Sequence, residues 1–136
     1  AKKDHPVVIS VMGFYGALLV HVWHEWSFIW EIEDFYDRQK YDEIHREKTG
    51  EEDPGFANTY FFKSHQLENI LERNGLKVEK MIGLENVASI LEDTDEEEQD
   101  FSQGYKEKLR KTARMLREDD AAPNLSNHIL AVGWKR

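Results

Sequence analysis

The chain has 136 residues, with 18 Lys plus Arg against 27 Asp plus Glu, and no cysteine. That length suits one domain with room for a real core. A net charge of −9 opposes the clustered cations that a general nucleic-acid binder needs. The missing cysteines exclude disulfides, thiolate metal sites and thiol nucleophiles. A hydrophobic share of 40% argues against a disordered chain, while 33% charged residues predict a densely solvated surface.

From Val7 to Trp30 the only formal charge is Glu25, a span long enough to cross a bilayer. The β-branched run Val7, Val8, Ile9 and Val11, the glycines at 13 and 16, and the cluster His21, His24 and Glu25 instead favour a strand, a glycine turn and a separate helix. No small-residue cleavage site follows an apolar core, so a secretion signal fits poorly. The segment is therefore read as soluble and the protein as cytoplasmic, with no membrane partner.

Pro6 to Met12 predicts a strand buried on both faces of a sheet, ended by Gly13-Phe14-Tyr15-Gly16. Leu19, Val22, Trp23, Trp26, Ile29 and Trp30 recur at three- and four-residue spacing, an apolar helix stripe. Glu31 to Asp53 is charged and weakly periodic, with Phe35, Tyr36, Tyr41 and Ile44 as anchors. Glu51 to Gly55 reads as a turn. Thr59 to Phe62 leads to Ser64, the expected N-cap of a helix that buries Leu67, Ile70 and Leu71. Asn74-Gly75 stops that helix.

Leu76 to Gly83 reads as a strand in which Leu76, Val78, Lys80 and Ile82 alternate with Lys77, Glu79 and Met81. The acidic stretch from Glu92 to Asp100 precedes a long helix with Phe101, Tyr105, Leu109, Thr112, Ala113 and Leu116 on one face. Asn127 to Trp134 closes the chain as a strand. The layout is α/β, with one domain over residues 1–136.

Chemistry has few anchors. His21, His24 and Glu25 share a helix turn, which admits a metal-dependent hydrolase on paper, but their spacing is not that of the zinc-protease helix, and no metal is assigned. His65 and His45-Arg46 lie near aromatic residues, where a histidine serves as base or substrate orienter. No serine sits on a glycine-flanked elbow, so Asp53 and Ser64 make no triad. The glycines form neither a dinucleotide fingerprint nor a phosphate loop, and the basic face of the Lys106–Arg117 helix reads as a solvated surface.

Three segments carry a resemblance. Thr59 to Glu85 reads TYFFKSHQLENILERNGLKVEKMIGLE, Val7 to Gly13 reads VVISVMG, and Ser126 to Arg136 reads SNHILAVGWKR. Taken in chain order, with Val7–Gly13 first, they resemble the carboxy-terminal half of class I S-adenosylmethionine-dependent methyltransferases. They correspond to the family's fifth strand, then an aromatic segment, helix and sixth strand, then an antiparallel seventh strand. The resemblance implies a partial Rossmann-like sheet with flanking and lid helices, the lid or insertion region spanning residues 14–58. The family's glycine-rich cofactor turn and the acidic residue after its second strand have no counterpart here.

It follows that S-adenosylmethionine belongs to the parent fold, that no cofactor-binding residue is expected in this chain, and that the chain alone is not expected to be active. A missing amino-terminal half, or a subunit supplying it, is the expected partner, with a methyl acceptor of unspecified class. The other reading is a non-catalytic interaction module that self-associates through the exposed edge of the Val7–Met12 strand. On the substrate side the resemblance places Phe14, Tyr15, His45, Arg46, Tyr60, Phe61 and His65. Tyr15, just past a strand's carboxyl end, is the foremost of them. Aromatic walls suit methyl transfer, which depends on in-line positioning and exclusion of water.

Overall fold

The computed structural model describes residues 5–23, 32–40, 46–47, 50, 59–91 and 102–135. Among these the chain is mixed α/β. Strand β1 (Pro6–Met12) runs directly into helix α1 (Phe14–Trp23), and helix α2 (Ile32–Arg38) follows. Helix α3 (Ser64–Arg73) leads into strand β2 (Leu76–Gly83), a 3-10 segment (Asn86–Leu91) and helix α4 (Gln103–Leu116). A second 3-10 segment (Ala122–Leu125) and strand β3 (His128–Lys135) close the fold. No helix among the described residues is long and apolar enough to cross a membrane.

The sheet has the order β1-β3-β2 with β3 antiparallel to both neighbours, so the two outer strands run parallel to each other. Hydrogen bonding joins the two ends of the sequence: Pro6 lies opposite Trp134 and Met12 opposite His128. Helix α3 covers one face, where Leu67 and Leu71 bury against Ile129 and Ala131, flanked by Ile9, Val11, Leu76, Val78 and Met81.

The expectation that β1 is buried on both faces is corrected. Only one face meets α3, and the strand alternates between half-buried and exposed, with Val8 58% exposed. Among the described residues β1 is an edge strand. By the parity of the pairing, the backbone N–H and C=O of Val8 and Ser10 point away from β3.

Two further corrections follow from local chemistry. The period of two in β2 breaks where the register shifts between Val78 and Lys80. Glu79 is the extra residue of a bulge, which puts Met81 on the core face with Leu76 and Val78, and sends Lys80 and Ile82 to the other. The Glu79 carboxylate accepts the indole N–H of Trp134. In α3 the N-cap is Lys63 rather than Ser64. The Lys63 N–H donates to Gln66 Oε1 (3.0 Å), and Ser64 Oγ turns outward from the helix to Asn124 Oδ1 (2.8 Å). Ile70 is 46% exposed, so the buried stripe of α3 is Leu67 and Leu71. Gly75 ends the helix at φ +78°, with open space where a Cβ would be, so its role is conformational. On α4 Thr112 is exposed, its hydroxyl donating to the Lys108 carbonyl, while Ala113 is buried as expected.

Helix α1 begins at Phe14, so Phe14 to Gly16 form its first turn, not a loop. The reason is contact. A Cβ at Gly13 or Gly16 would fall inside the Ser126 backbone, and one at Gly83 inside the Ala122 carbonyl. These glycines let the turn before β3 seat directly on the ends of β1 and β2. Ser126, fully buried, locks the junction: its Oγ accepts the Asn86 N–H (2.8 Å) and donates to the Ala122 carbonyl (2.9 Å).

Candidate functional site

The carboxyl end of β1 opens onto an aromatic cluster drawn from three segments. The Phe62 N–H donates to the Met12 carbonyl (2.8 Å) and the Phe14 N–H to the Phe62 carbonyl (2.9 Å). The Tyr60–Phe62 stretch is therefore held beside the end of β1, parallel to it through the Gly13–Phe62 bridge. It covers the end of the strand edge, at the Met12 carbonyl.

Phe14 is the centre. Its ring is stacked on Phe35 (5.1 Å between centroids, 17° between planes), and Phe35 meets Phe61 edge-on at 5.3 Å. Tyr15 and Tyr36 stand at 76° and 75° to the Phe14 ring, at 5.1 and 5.6 Å. Phe14 is thus a floor and the two tyrosines are walls. Into this box projects Lys63. Its Nζ lies 4.2 Å from the Tyr36 centroid, 4.9 Å from Phe14 and 5.8 Å from Tyr15, all inside the range of cation–π attraction.

A polar clamp fixes the box. The buried Gln39 donates from Nε2 to the Phe61 carbonyl (2.7 Å) and to Gln66 Oε1 (2.8 Å), and Gln66 Nε2 returns a bond to Gln39 Oε1 (2.8 Å). The Tyr60 hydroxyl donates to Gln39 Oε1 (3.1 Å), and the backbone N–H of Phe61 donates to the Gln39 carbonyl (2.8 Å). Both amide orientations are dictated by partners of fixed polarity, the Phe61 carbonyl for Gln39 and the Lys63 N–H for Gln66. Gln39 holds φ +54°, a conformation that costs a non-glycine residue energy and that here brings the end of α2 to Tyr60–Phe62.

The residues expected at a substrate face separate. Phe14, Tyr15 and Phe61 come together in one cluster, but Phe14 and Phe61 are buried, and Tyr15 is the partly exposed member of the three. Tyr60 is exposed on one side, packs edge-on against Phe62 (4.8 Å) and reaches Gln39. His65 belongs elsewhere: it borders a groove with Glu68, Glu79, Lys80 and Glu118, on the flank where α3 meets β2. Arg46 is exposed, and its carbonyl accepts the Gly50 N–H. His45 lies outside the described residues, as do His24, Glu25, Asp53 and the acidic run 92–100, and most of the 14–58 lid region does as well. The basic face of α4 contributes Arg110, Arg114 and Arg117 to the rim of a second groove, floored by Ile82, Leu84, Ala88 and Leu130.

The sequence did not single out Lys63, Gln39 or Gln66, and it cast Tyr36 as a core anchor although Tyr36 is 48% exposed. One signal was available: Lys63 is the sole cation in the aromatic stretch Tyr60 to Ser64. A further pair also went unread. Glu85 takes the His128 N–H on one carboxylate oxygen (2.9 Å) and meets His128 Nδ1 with the other (2.6 Å), tying the end of β2 to the start of β3. Compared with known proteins, the chain matches no family model and no curated sequence.

Proposed function

We propose that this chain is the substrate-facing, carboxy-terminal part of an S-adenosylmethionine-dependent methyltransferase with a Rossmann-like sheet. The observation that supports the reading best is topological. The last strand runs antiparallel between two strands that are parallel to each other, and among the described residues nothing pairs with the outer edge of the first along Val8 and Ser10. An open parallel-type edge suits a sheet that continues beyond β1, and the resemblance puts the family's cofactor-holding strands on the amino-terminal side of this segment. The aromatic cluster lies past the carboxyl end of β1, where ligands sit in open α/β sheets.

Among this chain's own residues, Tyr15 and Tyr36 supply apolar walls that orient an acceptor and keep water from it. The Gln39–Gln66 clamp holds those walls in position. S-adenosylmethionine, bound by the other part of the fold, would supply the methyl group.

The DNA upstream of the Ala1 codon is the first test. A strand followed by a glycine-rich turn, and an acidic residue after the next strand, are expected there. The protein including that segment should bind S-adenosylhomocysteine in calorimetric titration, and the 136-residue chain alone should not. An upstream sequence without those features, or micromolar binding by the chain alone, overturns the proposal.

The open edge also supports a second reading, an interaction module that pairs through β1 with a second copy of itself. Sedimentation at high protein concentration separates the two, since a module of this kind must dimerise. A monomer that gains no mass as concentration rises leaves only the first.

A further inference from the structure

We infer that the box formed by Phe14, Tyr15 and Tyr36 is a binding site for a methylated ammonium group, and that Lys63 is its built-in, displaceable occupant. The inference is independent of the methyltransferase reading, because it concerns binding by this chain alone. It starts from the geometry: one ring as floor and two rings nearly perpendicular to it, with all three centroids within 5.8 Å of a single point. That point is marked by the protein's own cation, which acts as an internal probe of what the box prefers. Aromatic faces carry negative quadrupole potential, and several converging on one volume favour a cation there.

The lining decides which cation. Among the described residues no carboxylate or carbonyl accepts a hydrogen bond from Lys63 Nζ; its neighbours are rings. A primary ammonium gives up hydration in such a place without recovering hydrogen bonds, and it is the poorer guest for that reason. A quaternary ammonium has no N–H to satisfy, is weakly hydrated, and spreads its charge over methyl groups that pack against the rings.

The plug can also leave. Lys63 sits at the N-cap of α3, where its backbone N–H is held by Gln66, so its four-carbon stem swings out without disturbing the helix. Tyr36, half-exposed, forms the outer wall through which a guest enters. The two buried aromatics behind the box, Phe35 and Phe61, together with the Gln39 clamp, hold the floor in place whether or not the plug is seated.

The test is a titration of the 136-residue chain with tetramethylammonium chloride at constant ionic strength, read by the aromatic resonances of Tyr15 and Tyr36. Lys63→Met keeps the apolar stem and removes the competing charge, and should tighten binding about tenfold over the unsubstituted chain. Lys63→Gln should show the same gain, which guards against a folding defect peculiar to one variant. Adding Tyr36→Ala to either should abolish the gain, and tert-butanol, the neutral analogue of similar shape, should not bind. The inference fails if both Lys63 variants bind no better than the unsubstituted chain. It fails equally if tert-butanol matches tetramethylammonium, or if loss of Tyr36 changes nothing.

Discussion

Gln39 offers a sharp test of the clamp, because two substitutions there should rank in an unusual order. Gln39→Ala removes four side-chain hydrogen bonds: to the Phe61 carbonyl, two with Gln66, and one from the Tyr60 hydroxyl. Tyr60 is partly exposed and turns to water at little cost, and Gln66 keeps the Lys63 N–H. The Phe61 carbonyl loses its side-chain donor in a buried setting, for about 1–3 kcal/mol, and the amide pair adds roughly 1 kcal/mol. The expected loss for Ala is about 3 kcal/mol. Alanine also inherits φ +54°, which costs an L-residue about 1–2 kcal/mol. Glycine escapes that strain and gives back only about 0.4–1 kcal/mol through a freer unfolded chain. Gln39→Gly should therefore be more stable than Gln39→Ala by about 0.5–1 kcal/mol, the reverse of the order in a helix or strand. Urea denaturation followed by circular dichroism measures both. An alanine variant as stable as the glycine one would refute the backbone argument, and a loss below about 1 kcal/mol in both would refute the clamp.

Two further substitutions probe the junction beneath the sheet. Gly16→Ala places a Cβ inside the Ser126 backbone, where neither partner is a flexible side chain, so thermal denaturation should record about 3 kcal/mol of destabilisation or loss of the folded signal. Ser126→Ala strips the buried Asn86 N–H of its acceptor and should cost about 1–3 kcal/mol by urea midpoint, with amide hydrogen exchange at Asn86 accelerated more than in α3.

The strands were legible because their signals are local. A β-branched run ended by Gly13 places β1, alternation after Gly75 places β2, and β3 lies within a residue of its expected bounds, while Asn74-Gly75 marks the end of α3 because an αL residue there favours glycine. What sequence reasoning misjudged depends on partners distant along the chain. The apolar run of β1 reads as doubly buried, yet burial is decided by what packs on it, and among the described residues α3 covers one face, with Val8 left exposed on the other. The bulge at Glu79 is silent in the sequence because Lys77, Glu79 and Lys80 offer no glycine or proline cue. Phe14 and Tyr15 were rightly placed past the end of a strand. Their neighbours Tyr36 and Lys63, more than twenty and nearly fifty residues away, come to them through the Gly13–Phe62 bridge and the Gln39–Gln66 pair. Gln39 gives no warning of its left-handed backbone, since its side chain is not among those that favour it.

The pairing of Pro6 with Trp134 sets a condition on how the protein is made. β1 spans Pro6–Met12 and its hydrogen-bonding partner β3 spans His128–Lys135, so more than a hundred residues are synthesised between them. At about 5–20 residues per second the strand waits on the order of ten seconds for β3. Among the described residues β2 joins β1 only through β3. The sheet therefore closes in one late event that joins the two ends of this sequence, with a loop-closure cost incurred before any strand contact repays it. During that wait the apolar run from Val7 to Met12 is the segment most exposed to wrong partners. A chaperone or an early-folding neighbour that shields it would raise the yield of folded protein without altering the final stability.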